Sequence, residues 1–287
     1  MGDKTEISWT DSTWNPVVGC TKVSTGCKFC YAERVSKRMG KEFTEVTLHP
    51  ERLDQPLRWR KSRKIFVCSM SDLFHEDVPD TFILDAVKMM RYATQHTYQI
   101  LTKRPERMRQ FISAAYVMLA TSNPDLPELS WPLPNVWLGI SAENQEQADK
   151  RIPLLLQTPA AVRFVSLEPL LGSINLDRYL WASGDDGEPS PRNDPYTPSL
   201  HWIIVGGESG GPPERALVER ESWHGQGGMK YGPWVPKPDA LEWVRGIRDR
   251  CVAAGISFLH KQWGGPTPKS GGRVLDGKIW HQFPDEN

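Results

Sequence analysis

Cys20, Cys27 and Cys30 fall within eleven residues, and their spacing is the chemical signal of this chain. Thiolates bind soft metals, and closely spaced thiolates can wrap a single centre. Gly19 and Gly26 lie beside them, where a backbone must turn tightly next to a metal. The count matters most. A structural zinc ion wants four protein ligands, and a [4Fe–4S] cluster that only transfers electrons takes four cysteines. Three thiolates leave one iron without a protein ligand, open to a small molecule. Cys20, Cys27 and Cys30 are therefore the expected metal ligands. The competing reading is a zinc knuckle completed by His49 or His75. Five cysteines in 287 residues are too sparse and too unevenly placed for a disulfide framework.

Such ligands need elements to hold them. Six short apolar runs recur, at residues 65–68, 98–101, 136–140, 162–165, 202–205 and 256–259. They are rich in β-branched residues and apolar on both faces, as buried parallel strands are. Helical patterns lie between them, at 80–96, 104–119, 143–156 and 238–254, with Pro105 suited to a first turn and Gly255 to a stop. Alternating strands and helices imply a parallel sheet with right-handed crossovers. The expected fold is α/β: a partial or complete TIM-like (βα) barrel, parallel strands with outer helices. A doubly wound open sheet is the alternative, but no G-x-G-x-x-G follows the first of these strands. The chain reads as one domain, 1–287, with loop insertions near 120–134, 183–199 and 217–238; the last is long enough for a lid.

In parallel barrels the chemistry gathers where strands end. Ser71, Asp72, Lys103, Arg104, Ser141, Glu143, Glu168, Glu208, Lys261 and Trp263 follow the apolar runs. Ser71, Asp72 and Asn144 are equally suited to capping the next helix. Lys103, Arg104 and Lys261 are candidates for a substrate phosphate or carboxylate. Trp9, Trp14, Trp223, Trp234 and Trp263 could stack on bases, or pack. Cys68 ends an apolar run and is either a hydrogen-atom donor or a small buried hydrophobe, whereas Cys251 reads as packing.

Composition narrows the function classes. Thirty-five basic and 35 acidic residues cancel, which argues against strong nonspecific DNA binding. No apolar run approaches the roughly 20 residues needed to cross a bilayer. Residues 1–11 lack the basic start and apolar middle of a secretory signal, so the cytoplasm is the expected compartment, with no membrane partner.

The segment Cys27-Lys28-Phe29-Cys30 resembles the second half of the radical S-adenosylmethionine (SAM) motif, Cys-x3-Cys-x-aromatic-Cys; the first spacing here is six residues. A longer set of motifs accompanies it: Ile7-Ser8-Trp9-Thr10-Asp11, Trp14-Asn15-Pro16, Gly19-Cys20-Thr21-Lys22, Ser69-Met70-Ser71-Asp72-Leu73-Phe74, Leu101-Thr102-Lys103-Arg104-Pro105, Ser166-Leu167-Glu168-Pro169, Gly206-Gly207-Glu208-Ser209-Gly210 and Lys261-Gln262-Trp263-Gly264. Together they resemble a radical SAM-like family of phages and bacteria, a three-Cys domain of unknown function. Against that family's pattern the chain carries extra residues between Gly210 and Asp239.

The resemblance implies a [4Fe–4S] cluster and SAM as cofactors and reductive cleavage of SAM to a 5′-deoxyadenosyl radical. Phe29 would lie beside the cofactor. Ser71 and Asp72 would meet its methionine part, Ser141 and Glu143 its ribose, and Glu168, Gly206, Gly207 and Glu208 its adenine end. Lys103, Arg104, Lys261 and Trp263 would meet substrate, and Cys68 would take the catalytic role of hydrogen-atom donor. A reductase or a flavodoxin- or ferredoxin-type protein would supply electrons. The phage distribution favours DNA or RNA modification or repair. The alternatives are a small metabolite or peptide as substrate, a cluster protein that only transfers electrons, or a zinc-stabilised, non-catalytic nucleic-acid-binding module.

Overall fold

The computed structural model describes residues 5–121, 132–183, 189–191, 199–226 and 228–284. The sequence's loops near 120–134 and 183–199 fall mostly outside those residues. The main sheet has seven strands: β1 (Ser12–Trp14), β2 (Lys64–Val67), β3 (Thr97–Thr102), β4 (Val136–Ser141), β5 (Val162–Leu167), β6 (Trp202–Gly206) and β7 (Ser257–Gln262). Their order in the sheet follows the chain, from β1 to β7. A doubly wound sheet reverses direction at a switch point. Here the order never reverses, and β1 and β7 are not neighbours, which makes the fold a partial (βα) barrel of α/β class.

Among the described residues six helices accompany the strands: α1 (Tyr31–Arg38), α2 (Asp80–Tyr92), α3 (Pro105–Thr121), α4 (Gln145–Leu156), the short α5 (Asp177–Leu180) and α6 (Pro238–Ala253). The chain packs as two compact units, Met1–Ser141 with Arg151–Phe164, and Ala142–Lys150 with Val165–Asn287.

In the first unit β1, β2, β3 and β4 pair in parallel, with Trp14 opposite Val67, Val67 opposite Ile100, and Ile100 opposite Leu138. All four are buried, so each pairing removes apolar surface from water on top of its backbone hydrogen bonds. Trp14 is wholly buried, its indole edge-on to Tyr98 and its Nε1 donating to Arg52 O at 2.7 Å. Trp9 packs against Phe66 and Phe164. Neither indole offers an open face to a base. α2 buries Phe82, Ile83, Ala86, Val87 and Met90, the helical spacing legible in the sequence.

In the second unit β6 and β7 pair in parallel from Trp202–Ser257 to Val205–His260, with a register shift between Val205 and Gly206. Asn144 caps α4, its Oδ1 accepting the Gln147 N–H at 3.0 Å. Residues 217–238, read from sequence as a loop, form an antiparallel hairpin of Val218–Gly225 with Gly228–Pro236. Trp223 and Tyr231 stand exposed on it.

Wholly buried in β7, His260 packs edge-on against Trp263. Burial pushes its imidazole down from 6.5 to about 4. His75 and His96 are pulled down by burial as well. An unfolded chain therefore binds protons that the folded one refuses. This contribution to stability is complete above pH 6.5 and is lost as pH falls towards about 4. Urea unfolding at pH 7 and pH 5 is expected to show a lower midpoint at pH 5. His260→Leu is expected to flatten that difference by roughly 1–3 kcal/mol; a variant with the same pH dependence as wild type would disprove the role of His260.

Candidate functional site

The cysteine loop follows β1 directly. The short strands Val17–Val18 and Thr47–Leu48, paired with each other, bracket it, and Cys27 closes a single turn of 3-10 helix, Thr25–Cys27. Cys30 immediately precedes α1. Gly19 has a φ of +98°, and a Cβ there would meet the Glu45 carbonyl oxygen at 2.2 Å, so the residue before Cys20 must be glycine. Backbone bonds fix the start of the loop: Gly19 N donates to Met70 O at 3.1 Å, and Cys20 N to Phe43 O at 2.8 Å.

Cys20, Cys27 and Cys30 are free thiols of intermediate exposure. Burial, with the charge of Asp72 next, pushes the Cys20 thiol up to about 11; Arg104 opposes this, and Cys27 adds to it from nearby. Among the described residues no three His, Cys, Asp or Glu side chains form a ready-made metal cage. The donor set itself suits iron–sulfur ligation: three free thiols on one short loop, Cys20 and Cys27 within electrostatic reach of each other, and a guanidinium at Cys20.

That guanidinium belongs to Arg104, which follows β3 and is 8% exposed. Its Nη1 donates to Cys20 Sγ at 3.6 Å and to Asp72 Oδ2 at 3.4 Å. Nη2 donates to Thr21 Oγ1 at 2.8 Å and to Thr21 O at 3.3 Å, and Nε to Glu76 Oε2 at 2.8 Å. That last bond holds the Glu76 carboxyl down to about 2.

Asp72 is the second joint. Thr102 Oγ1 donates to both of its oxygens, at 2.7 and 2.9 Å, and the backbone N–H groups of Phe74 and Lys103 add bonds of 3.0 and 3.1 Å. Asp72 thus ties the end of β2 to the end of β3. Neither Ser71 nor Asp72 caps a helix, because α2 starts only at Asp80; Ser71 Oγ donates to Val17 O at 2.8 Å instead.

His75, buried, lies 2.8 Å from Thr21 Oγ1 through Nε2 and accepts the Asp77 N–H on Nδ1 at 3.1 Å. The Thr21 backbone N–H also donates to Nε2, at 3.2 Å. Both ring nitrogens are thereby engaged beside the loop. Cys68 leaves β2 with a φ of +58° and is buried, which pushes its thiol up to about 12. Lys103 is half-buried on the same turn as Arg104. Phe29 lies between Cys27 and Cys30, and Ser141, buried, ends β4.

The second unit carries its own strand-end groups. Lys261 donates to Glu168 Oε1 at 2.6 Å. Arg215 grips Glu208 with two parallel bonds, Nε to Oε2 at 2.7 Å and Nη2 to Oε1 at 2.8 Å. Glu143 is wholly buried, and its carbonyl accepts the Leu171 N–H at 2.8 Å. Gly206 ends β6, and Gly207 follows it. A Cβ on Gly207 would strike the Trp263 carbonyl oxygen at 2.0 Å, which is why the chain crosses there on glycine. Trp263 is 1% exposed, and its Nε1 donates to Val274 O at 2.8 Å.

The structure thus gathers Cys20, Asp72, Lys103 and Arg104 in one network, and Glu168 with Lys261 in another. Sequence reasoning missed Thr21, Glu76, Thr102 and Arg215. Nothing local marks them; each matters only through a partner brought to it by folding.

Comparison with known proteins bears on the fold. The family described as "Protein of unknown function (DUF5131)" matches residues 4–228 and 223–284. No curated protein matches the chain. Among solved structures, the fold is similar to that of a cysteine-to-serine variant of spore photoproduct lyase, with a TM-score of 0.51 and 10% identity over 90% of this chain and 78% of that one. A cysteine-to-alanine variant of spore photoproduct lyase with dinucleoside spore photoproduct gives a TM-score of 0.50 at 8% identity, over 87% and 75% of the two chains. At such identities the likeness is one of fold.

Proposed function

From the premise that the chain belongs to the DUF5131 family, we propose that it is a radical SAM enzyme acting on a nucleic acid or nucleotide. One observation carries the reading: three free thiols on a single loop after the first strand of a partial barrel, with a buried guanidinium at the first of them. Cys20, Cys27 and Cys30 would hold a [4Fe–4S] cluster. Cluster and SAM together supply a 5′-deoxyadenosyl radical, chemistry that belongs to the cofactors.

The chain's own residues position and shield. Gly19 lets the loop turn, Arg104 and Asp72 hold its first thiol in place, and Phe29 occupies the aromatic position between the other two. Ser71 and Asp72 for the methionine part, Ser141 and Glu143 for the ribose, and Glu168, Gly206, Gly207 and Glu208 for the adenine are proposals from strand order. Lys103, Arg104, Lys261 and Trp263 towards substrate are proposals of the same kind. Cys68 is kept protonated by burial, the form in which a thiol can give up a hydrogen atom. The phage and bacterial resemblance supports a nucleic-acid substrate, and so does the dinucleoside photoproduct held by the similar lyase.

The test is anaerobic reconstitution with iron and sulfide, chemical reduction, and measurement of 5′-deoxyadenosine with DNA, RNA, nucleotides or no addition. The expected result is a brown protein that forms 5′-deoxyadenosine, several-fold faster with one nucleic-acid class. A colourless protein with stoichiometric zinc and no use for SAM would overturn the reading. Stimulation by small metabolites or peptides alone would overturn its substrate class.

A further inference from the structure

We propose that Arg104 is a positioning residue for the metal site, fixing the Cys20 end of the cysteine loop and supplying a permanent positive charge at that ligand's sulfur. The inference rests on the radical SAM reading and deepens it. A guanidinium has five N–H donors in a rigid plane and stays charged at any working pH. Arg104 directs them to two separate segments. Cys20 Sγ at 3.6 Å and both Thr21 oxygens, at 2.8 and 3.3 Å, belong to the loop. Asp72 at 3.4 Å and Glu76 at 2.8 Å belong to the turn after β2. Arg104 itself stands at the end of β3, its backbone N–H donating to Thr102 Oγ1 at 2.9 Å.

The direction of restraint follows from burial. Arg104 is 8% exposed and Asp72 5%, so this pair is held by the fold rather than by solvent. The loop is half-exposed at its cysteines, so the bonds from Arg104 tie a more open segment to a buried one. A hydrogen bond from a cation to a ligating thiolate draws electron density from the sulfur and makes a bound cluster easier to reduce. Lysine keeps the charge but not the plane, and cannot serve Glu76, Asp72, Thr21 and Cys20 at once.

The experiment uses the full chain, reconstituted anaerobically with iron and sulfide, as wild type, Arg104→Lys, Arg104→Gln and Glu76→Gln. Iron and sulfide per chain, the rate of iron loss to a chelator, and the midpoint potential from an EPR-monitored redox titration are measured. Arg104→Lys is expected to lose iron about ten- to a hundredfold more readily, and its cluster to titrate at a more negative potential than wild type. Glu76→Gln, altered at an exposed carboxylate, is expected to lose iron more readily than wild type but less so than Arg104→Lys. If Arg104→Gln fails to fold, the other two variants decide. Arg104→Lys with wild-type iron retention and potential would end the role given to Arg104 and leave the radical SAM reading standing. A wild-type chain that takes up no iron would end both.

Discussion

Cys27→Ser is expected to give a folded, colourless protein that retains no cluster and forms no 5′-deoxyadenosine above background. Cys27 has intermediate exposure and ends a single helical turn, so no core contact depends on its sulfur. The hydroxyl that replaces it is a hard, protonated donor, whereas iron–sulfur clusters are held by soft thiolates. Losing a direct ligand should cost more than the roughly ten- to hundredfold loss of affinity seen when an outer partner is removed. Cys20→Ser and Cys30→Ser should match it. Cys251→Ser is the control, because Cys251 is wholly buried in α6; it should lower the melting temperature and leave iron content unchanged. Iron and sulfide analysis, visible absorbance and circular dichroism on the four proteins decide the matter. Retention of a full cluster by Cys27→Ser would show that Cys27 is not a ligand.

The second large effect is on stability. Asp72→Ala is expected to destabilise the chain by about 3–5 kcal/mol, the range for breaking a buried ion pair from one side. Asp72 is 5% exposed and accepts from Thr102, Phe74, Lys103 and Arg104. Alanine would leave two backbone N–H groups, a hydroxyl and part of a guanidinium short of acceptors, in a place where water does not readily replace them. Asp72→Asn keeps the shape and one acceptor, but turns an NH2 group towards those donors, so an intermediate loss is expected. Urea unfolding of both variants measures this, and a loss below about 1 kcal/mol for Asp72→Ala would show that the network does not carry the junction of β2, β3 and the cysteine loop.

Six of the seven sheet strands and the principal helices are legible in the sequence, to within a few residues at their ends. The observed α2, Asp80–Tyr92, stops short of the expected 80–96, and β5, Val162–Leu167, runs past its expected end at 165. Strand β1 could not be read: Ser12-Thr13-Trp14 is too short to show a period. It is a strand only because Ile65, Phe66 and Val67 lie alongside it. The 218–236 hairpin left little trace: Glu219 to Ser222 are four polar residues in a row, and only the glycines at 225, 227 and 228 signal a turn in the sequence. Its surrounding Pro, Gly and Trp content reads more readily as a loop.

What the sequence determined by itself is the chemistry available and the class of scaffold: three thiols at fixed spacing beside glycines, and apolar runs alternating with amphipathic ones. Both are properties of neighbours along the chain, set by residue type and by the periods of strand and helix. The tertiary structure alone decided which charges meet. Asp72 reads locally as a helix cap, yet its acceptors are taken by Thr102 and Arg104, 30 and 32 residues later. Arg104 reads as a phosphate hook, yet it reaches back 84 residues to Cys20. Hydrogen bonds and ion pairs act over a few ångströms, so their partners are fixed by packing, and no spacing along the chain records them.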